Sequence, residues 1–277
     1  MRITGHGNAF DVLGLATFPP SLFRSLLAGN SMQEMSPRVV AIAALSLVLT
    51  QAARAQAADT THKLSGSGEF GLVNAAGNTE VTTLNFGEQL SYAPNTLYHF
   101  MQTASIVYGK TDGVESASLW QGNLRGDRDL GNRWGAYALL EFDRNTFASI
   151  DRRFQEGVGA LYHPIRTATD TLSAELGVGL VEKRSTSGSS TTQPIGRIAG
   201  VYRHSFAPKA YGEEQLEFLP DLQVGKEFRI NSATSVVAPL FRNLALKASY
   251  VVNFDNDPEP GRRKADRFLT TGVQLSF

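Results

Sequence analysis

The chain has 277 residues, no cysteine, 26 glycines and equal numbers of basic and acidic side chains, so its net charge is zero. That length holds one large domain or two small ones, the missing thiols exclude disulfide staples and thiolate metal sites, and the neutral charge excludes the basic stripe of a nucleic-acid binder. No apolar run reaches the roughly 18 residues of a membrane-spanning helix, whereas a mean hydropathy of −0.16 is compatible with a membrane barrel, which hides its lipid face in alternation.

The longest oily stretch is residues 39–50 (VVAIAALSLVLT), preceded by Arg38 and followed by the A-x-A of Ala55, Gln56 and Ala57. A positive flank, a short apolar core and a small-residue exit describe a secretory signal peptide, with cleavage expected after Ala57. The competing reading, an ordinary buried helix, leaves the A-x-A without a role. Residues 1–34 precede the signal and are expected to be a gene-model extension without structure, with Met32 or Met35 as the initiator. Residues 35–57 are then the signal peptide, 58–63 a short periplasmic lead and 64–277 the folded domain. Residues 1–57 hold four basic and two acidic side chains, which leaves the exported part mildly acidic.

From residue 64 onward, alternating segments of strand length are separated by turn chemistry. The first spans 64–74 and turns at residues 75–78 (AAGN). The second, 79–91, sets Leu84, Phe86 and Leu90 against Asn85, Gly87 and Gln89. Residues 93–95 (APN) break it, because proline cannot donate to a ladder. The third, 97–110, groups Tyr98, Phe100, Ala104, Ile106 and Tyr108. The fourth, 116–129, has Trp120 and Leu124 on one side and Gln121, Asn123 and Arg125 on the other. The fifth, 133–145, opposes Trp134, Ala136, Ala138, Leu140 and Phe142 to Tyr137, Glu141 and Asp143.

The sixth and seventh, 152–163 and 169–184, flank Pro164, and residues 185–193 (STSGSSTTQ) read as a long flexible loop. The eighth, 195–206, carries Ile198, Tyr202 and Phe206 against Arg197 and Arg203. The ninth, near 212–219, has the weakest pattern. The tenth covers 226–238, and the eleventh, 243–255, alternates Leu244, Leu246, Ala248, Tyr250, Val252 and Phe254 with Lys247, Ser249, Asn253 and Asp255. After the proline- and charge-rich residues 256–264, the closing strand places Phe277, Leu275, Val273, Thr271 and Leu269 on one face and Ser276, Gln274, Gly272 and Thr270 on the other.

Strands with one oily and one polar face, ending on an aromatic residue, predict an all-β fold, a transmembrane antiparallel barrel of about twelve strands. An even count returns both termini to one side, and the longest links, 185–193 and 256–264, then fall together on the other. Short periplasmic turns opposite longer external loops are the expected asymmetry. Val273, Leu275 and Phe277 form the barrel-closing strand and its expected signal to the barrel-assembly machinery. Tyr98, Tyr108, Trp120, Trp134, Tyr162, Tyr202 and Tyr250 fall on the outer face, where interfacial girdles place aromatics. Glu156 shares the outer face with Phe154, Val158 and Tyr162, and either a bulge or a shift in register is expected there.

The chain resembles the salt-induced outer-membrane proteins, a YdiY-like family of unknown function. The resemblance rests on Gly71-Leu72 followed by Gly77-Asn78-Thr79, and on Asp257-Pro258-Glu259-Pro260-Gly261 leading to Asp266, and it covers about residues 64–277. It implies a Gram-negative outer-membrane barrel of unassigned activity, and it carries no catalytic residues. Residues 1–34 depart from the family pattern.

A twelve-stranded hydrolase of the phospholipase type is the alternative, and it needs a serine beside a histidine on the outer wall. His62 precedes the barrel, and His99, His163 and His204 lie near periplasmic turns without a matched serine, so no triad, cofactor or metal is expected. Glu213, Glu214 and Glu217, and the mixed charges of 256–264, suggest cation or lipopolysaccharide contact, against the plainer reading of solvated loops. Alternation sends Arg125, Arg133, Glu141, Asp143, Glu175, Lys183, Arg197, Arg203 and Lys247 to the lumen. Those charges either line a narrow passage for small polar solutes or pair and close it, and inward glycines (Gly87, Gly157, Gly159, Gly177, Gly179) leave room for the passage. The expected partners are outer-membrane lipid and lipopolysaccharide. No nucleic acid is expected.

Overall fold

The structure is a computed structural model that describes residues 63–76, 81–111, 114–131 and 133–276. Twelve antiparallel strands run in chain order: β1 (Lys63–Ala76), β2 (Val81–Ala93), β3 (Tyr98–Thr111), β4 (Val114–Gly131), β5 (Trp134–Asn145), β6 (Ile150–Arg166), β7 (Asp170–Ser185), β8 (Ser190–Ala207), β9 (Ala210–Pro220), β10 (Phe228–Pro239), β11 (Leu244–Asp255) and β12 (Ala265–Ser276). Each pairs with its sequence neighbours, and β12 pairs with β1 to close the barrel. Closure leaves no edge, so no row of backbone groups is left unpaired. Ser67 faces Ser276 across the seam, which brings the first and last strands to one end. That end also carries the connections after β2, β4, β6, β8 and β10, and is called here the turn end. The opposite, loop end carries the longest connections, residues 221–227 and 256–264.

Interactions that skip strands show which side chains face inward. Lys247 on β11 reaches Glu69 on β1, and Arg125 on β4 reaches Glu175 on β7. The alternate positions point out and are apolar: Leu176, Val178 and Leu180 on β7 are 65%, 57% and 49% exposed. Leaving such side chains in water forfeits about 1.5–3 kcal/mol each, so a band of them around a closed barrel suits hydrocarbon. Leu275 and Val273 belong to that band, facing Gly68 and Phe70 of β1. Phe277 lies outside the described residues, as do the signal-peptide segment, His62 and the Tyr108 side chain.

The closing seam depends on two glycines. Gly71 and Gly272 face each other, and a Cβ on Gly272 would lie 2.9 Å from Gly71 Cα, closer still to the Phe70 carbonyl. Only a residue without a side chain lets the two backbones approach that far.

Three sequence expectations are corrected. The loop expected over 185–193 is confined to 186–189, because residues 190–193 extend β8 and pair with Val181 through Arg184. Serine and threonine suit an edge turn, but threonine is β-branched and equally at home in a strand. Pro164 does not end β6, which runs to Arg166 through an irregularity between Tyr162 and Ile165 that absorbs the missing N–H. Glu156 needs neither bulge nor shift: it sits between Leu140 and Leu180 in uninterrupted register, exposed on the outer wall.

Candidate functional site

The lumen is asymmetric. Side chains of β4 to β9 pack one part of it, and the open space is bordered by β1, β2, β3, β10 and β11 together with parts of β4, β5, β6 and β9. The packing begins with Tyr137, buried between two guanidiniums, Arg125 at 4.8 Å and Arg197 at 5.1 Å from its ring centre. Glu175 bridges the same two arginines, with Arg125 Nη2 at 2.9 Å from one oxygen and Arg197 Nη1 on the other. Each arginine has a further acid: Arg125 Nε donates to Asp127 at 2.8 Å, and Arg197 Nε to Glu217 at 2.6 Å. The result is a continuous ladder, Asp127–Arg125–Glu175–Arg197–Glu217, in which nearly every charge meets its opposite. Such a ladder satisfies the requirement that buried ions be paired and hydrogen-bonded. Leu139 and Leu161 pack beside Tyr137, and Val181, Ile195 and Leu219 form a second apolar group.

The inward glycines therefore do not leave a passage on this side. A Cβ on Gly159 would stand 2.7 Å from Tyr137 Cε1, and one on Gly177 would strike the tyrosine hydroxyl. At Gly157, a Cβ would meet Leu139 at 3.4 Å. These glycines, directly opposite on β6 and one strand further on β7, make room for the large side chains of β5. Gly87 is different, with nothing nearer than 3.8 Å.

Gly87 borders a cavity of about 380 Å³ in the middle of the barrel. Its wall is polar and carries charges of both signs. Lys247 Nζ pairs with Glu69, and Arg153 Nε donates to Asp143 at 2.7 Å. Glu141 accepts from Asn123 at 3.0 Å and from Gln155 at 2.6 Å, and Asn231 donates to Glu217 at 2.7 Å. Asp143, Arg153 and Arg229 also line a smaller space of about 70 Å³ toward the loop end, so they sit at the junction of the two.

The loop-end mouth is covered in two ways. Phe268 of β12 meets Val107, with Leu119 and Val251 packed against them, and puts an apolar bridge across the barrel. Residues 256–264 fold over the remaining opening: Glu259 pairs with Lys183 at 3.0 Å, and Arg262 Nε donates to Ser149 Oγ at 2.9 Å. The charged loop is thus tied to the rim, where its carboxylates and cations meet protein partners.

Each residue expected in the lumen can now be placed. Arg125, Glu175 and Arg197 form the ladder, and Glu141, Asp143 and Lys247 line the cavity. Arg203 lies at the turn-end rim, 44% exposed, paired with Glu213 and over the Tyr211 ring at 4.2 Å. Lys183 holds the loop. Arg133 is not in the lumen: it occupies the turn before β5 with φ +73°, and its guanidinium donates to the Pro164 carbonyl at 2.9 Å. The acids Glu213, Glu214 and Glu217 do not converge, since Glu214 points outward to the hydroxyls of Ser232 and Thr234. His204 Nδ1 is 2.8 Å from Asp170 Oδ1, which also accepts from the Tyr202 hydroxyl at 2.7 Å. Among the described residues, no histidine is hydrogen-bonded to a serine.

Sequence reasoning missed Glu69, Arg153, Gln155 and Arg229, and grouped Glu217 with a cation site instead of the lumen. All obey the alternation, so the signal was present. The ninth strand lacked a clear pattern, and Gln155 was overshadowed by its outward neighbour Glu156.

A barrel of this closure and register is now matched by family and by form. Residues 68–277 match a family described as protein of unknown function, DUF481. The chain belongs to that family. No curated protein matches it. Among solved structures, the NanC porin has a TM-score of 0.52 at 10% identity over 77% of this chain and 99% of that one. The KdgM porin has a TM-score of 0.44 at 11% identity, over 76% and 99%. At these identities the first likeness speaks for a porin-like fold.

Proposed function

We propose that this DUF481 chain is exported by a signal peptide cleaved after Ala57, resides in an outer membrane, and provides a narrow passive passage for small polar solutes. The observation that carries this reading is the central cavity of about 380 Å³, walled by hydrogen-bonded charges inside a closed barrel with an apolar outer wall. A barrel serving only as a structural wall has no need of a hydrated interior, and twelve strands stand between barrels filled by side chains and barrels with wide channels. The likeness to the NanC porin supports the same reading. In it, lipid and lipopolysaccharide surround the outer wall, and the barrel-assembly machinery reads the closing strand through Val273, Leu275 and Phe277. The resemblance to salt-induced outer-membrane proteins extends the proposal to expression that rises with salt, which an immunoblot across a salinity series tests.

The decisive experiment is reconstitution of residues 58–277 in planar bilayers. Discrete conductance steps are expected, small because loop 256–264 and the Phe268 bridge narrow the mouth. Folded protein that leaves the bilayer silent overturns the passage.

A further inference from the structure

We propose that the central cavity is a binding site for a small zwitterion, with Glu141 receiving the cationic end and Arg229 the anionic end. This names the solute class of the passage proposed above and rests on that reading for the ligand's route inward.

The charges around the cavity cancel in pairs with one exception of each sign. Lys247 is matched by Glu69, Arg153 by Asp143, and Glu217 by Arg197. Glu88 borders the space, but its carboxylate accepts from Gln102 Nε2 at 2.8 Å on the outer wall. Glu141 and Arg229 remain. Glu141 is held by two neutral amides, Asn123 Nδ2 at 3.0 Å and Gln155 Nε2 at 2.6 Å. Arg229 Nη2 donates to the other end of the same amide, Gln155 Oε1, at 2.9 Å. Among the described residues, neither forms an ion pair within 4.0 Å.

Gln155 is only 4% exposed, and its orientation is dictated by its partners: turning the amide over would set its carbonyl against a carboxylate and its NH₂ against a guanidinium. It therefore acts as a fixed spacer, keeping an acid and a base one amide apart instead of letting them neutralise each other. Charges that lack a directly bonded opposite are costly away from bulk water, even with opposite charges nearby, and persist where something else is to meet them. A solute carrying both charges on one small frame satisfies Glu141 and Arg229 together. A simple anion would also face Glu141, a simple cation would also face Arg229, and a neutral polyol would gain from neither. The volume falls within the usual range for small-molecule sites, about 300–1,000 Å³.

The test uses L-proline as the zwitterion and erythritol as a neutral solute of similar size. Titration calorimetry on the folded protein is expected to show saturable proline binding and none for erythritol. Glu141→Gln and Arg229→Gln should each weaken it about tenfold, the loss of one charge-assisted hydrogen bond. Either substitution alone strands the opposite charge and threatens folding, so the double variant E141Q/R229Q is the safer probe. It removes both charges at once and should fold yet bind no proline. Conductance with no proline binding overturns the site while leaving the passage standing. Proline binding by a protein that is silent in bilayers overturns the passage and keeps the site. Binding that survives E141Q/R229Q overturns the site.

Discussion

Replacing Glu175 by glutamine tests whether the ladder holds the lumen together. In the native barrel its carboxylate, 4% exposed, takes a two-pronged contact from Arg125 at 2.9 and 3.1 Å and a further one from Arg197. Glutamine keeps the volume and one acceptor oxygen but removes the charge. Each guanidinium beside Tyr137 then keeps one acid, Asp127 or Glu217, but loses its bonds to the charged carboxylate, and the new NH₂ points at a cation. Because neither arginine is left without an acid, the loss is that of charge-assisted hydrogen bonds, about 1.5–3 kcal/mol, against about 0–1 kcal/mol for an exposed pair. The side-chain exposures, 12% for Arg125 and 10% for Arg197, put this network at the buried end. Converted at about 1.4 kcal/mol per decade, the folded-to-unfolded ratio at a given urea concentration should fall by at least about tenfold. The assay is urea unfolding of the reconstituted barrel, followed by heat-modifiable gel migration. A loss below about 1 kcal/mol would show that water screens the ladder as it does a surface pair, and would refute the account of a partly packed lumen.

Gly272→Ala should hinder closure, because its Cβ would press on the β1 backbone at Gly71; a destabilisation of about 1–3 kcal/mol, or a lower refolded yield, is expected. Glu259→Gln combined with Arg262→Gln should release both ties of residues 256–264, to Lys183 and to Ser149. It should change stability by less than about 1 kcal/mol while raising single-channel conductance, and unchanged conductance would mean that the loop is not the constriction. Trp134→Ala removes an outer-wall ring tilted against Tyr162 at 4.6 Å, and urea titration should register a loss of about 0.5–1.5 kcal/mol from that pair beyond the buried area.

The strand pattern was readable because it is local. A period of two separates wall from lumen within any stretch such as 244–255, where Tyr250 turns out and Lys247 turns in, and no knowledge of other strands is needed. The even count, the closure of β12 on β1 and the inward placement of Arg125, Glu175 and Arg197 follow from that alternation alone. The limits of elements were less legible. Proline suggested an end at residue 164 and serine-rich composition a loop at 190–193, and in both places the neighbouring strand supplied a ladder that local preference does not contain.

What fills the barrel lay beyond the sequence. Alternation sends Gly159, Gly177 and Tyr137 to the same interior, but only the register that sets them side by side on β5, β6 and β7 makes the glycines a seat for the tyrosine. The same holds for Phe268 reaching Val107 and for Gln155 standing between Glu141 and Arg229. Which face a side chain occupies is set by the pleat of its own strand, whereas what it touches there is set by strand tilt and register summed around a closed sheet. The chain by itself determined inside and outside; the tertiary structure decided which part of the inside is solid.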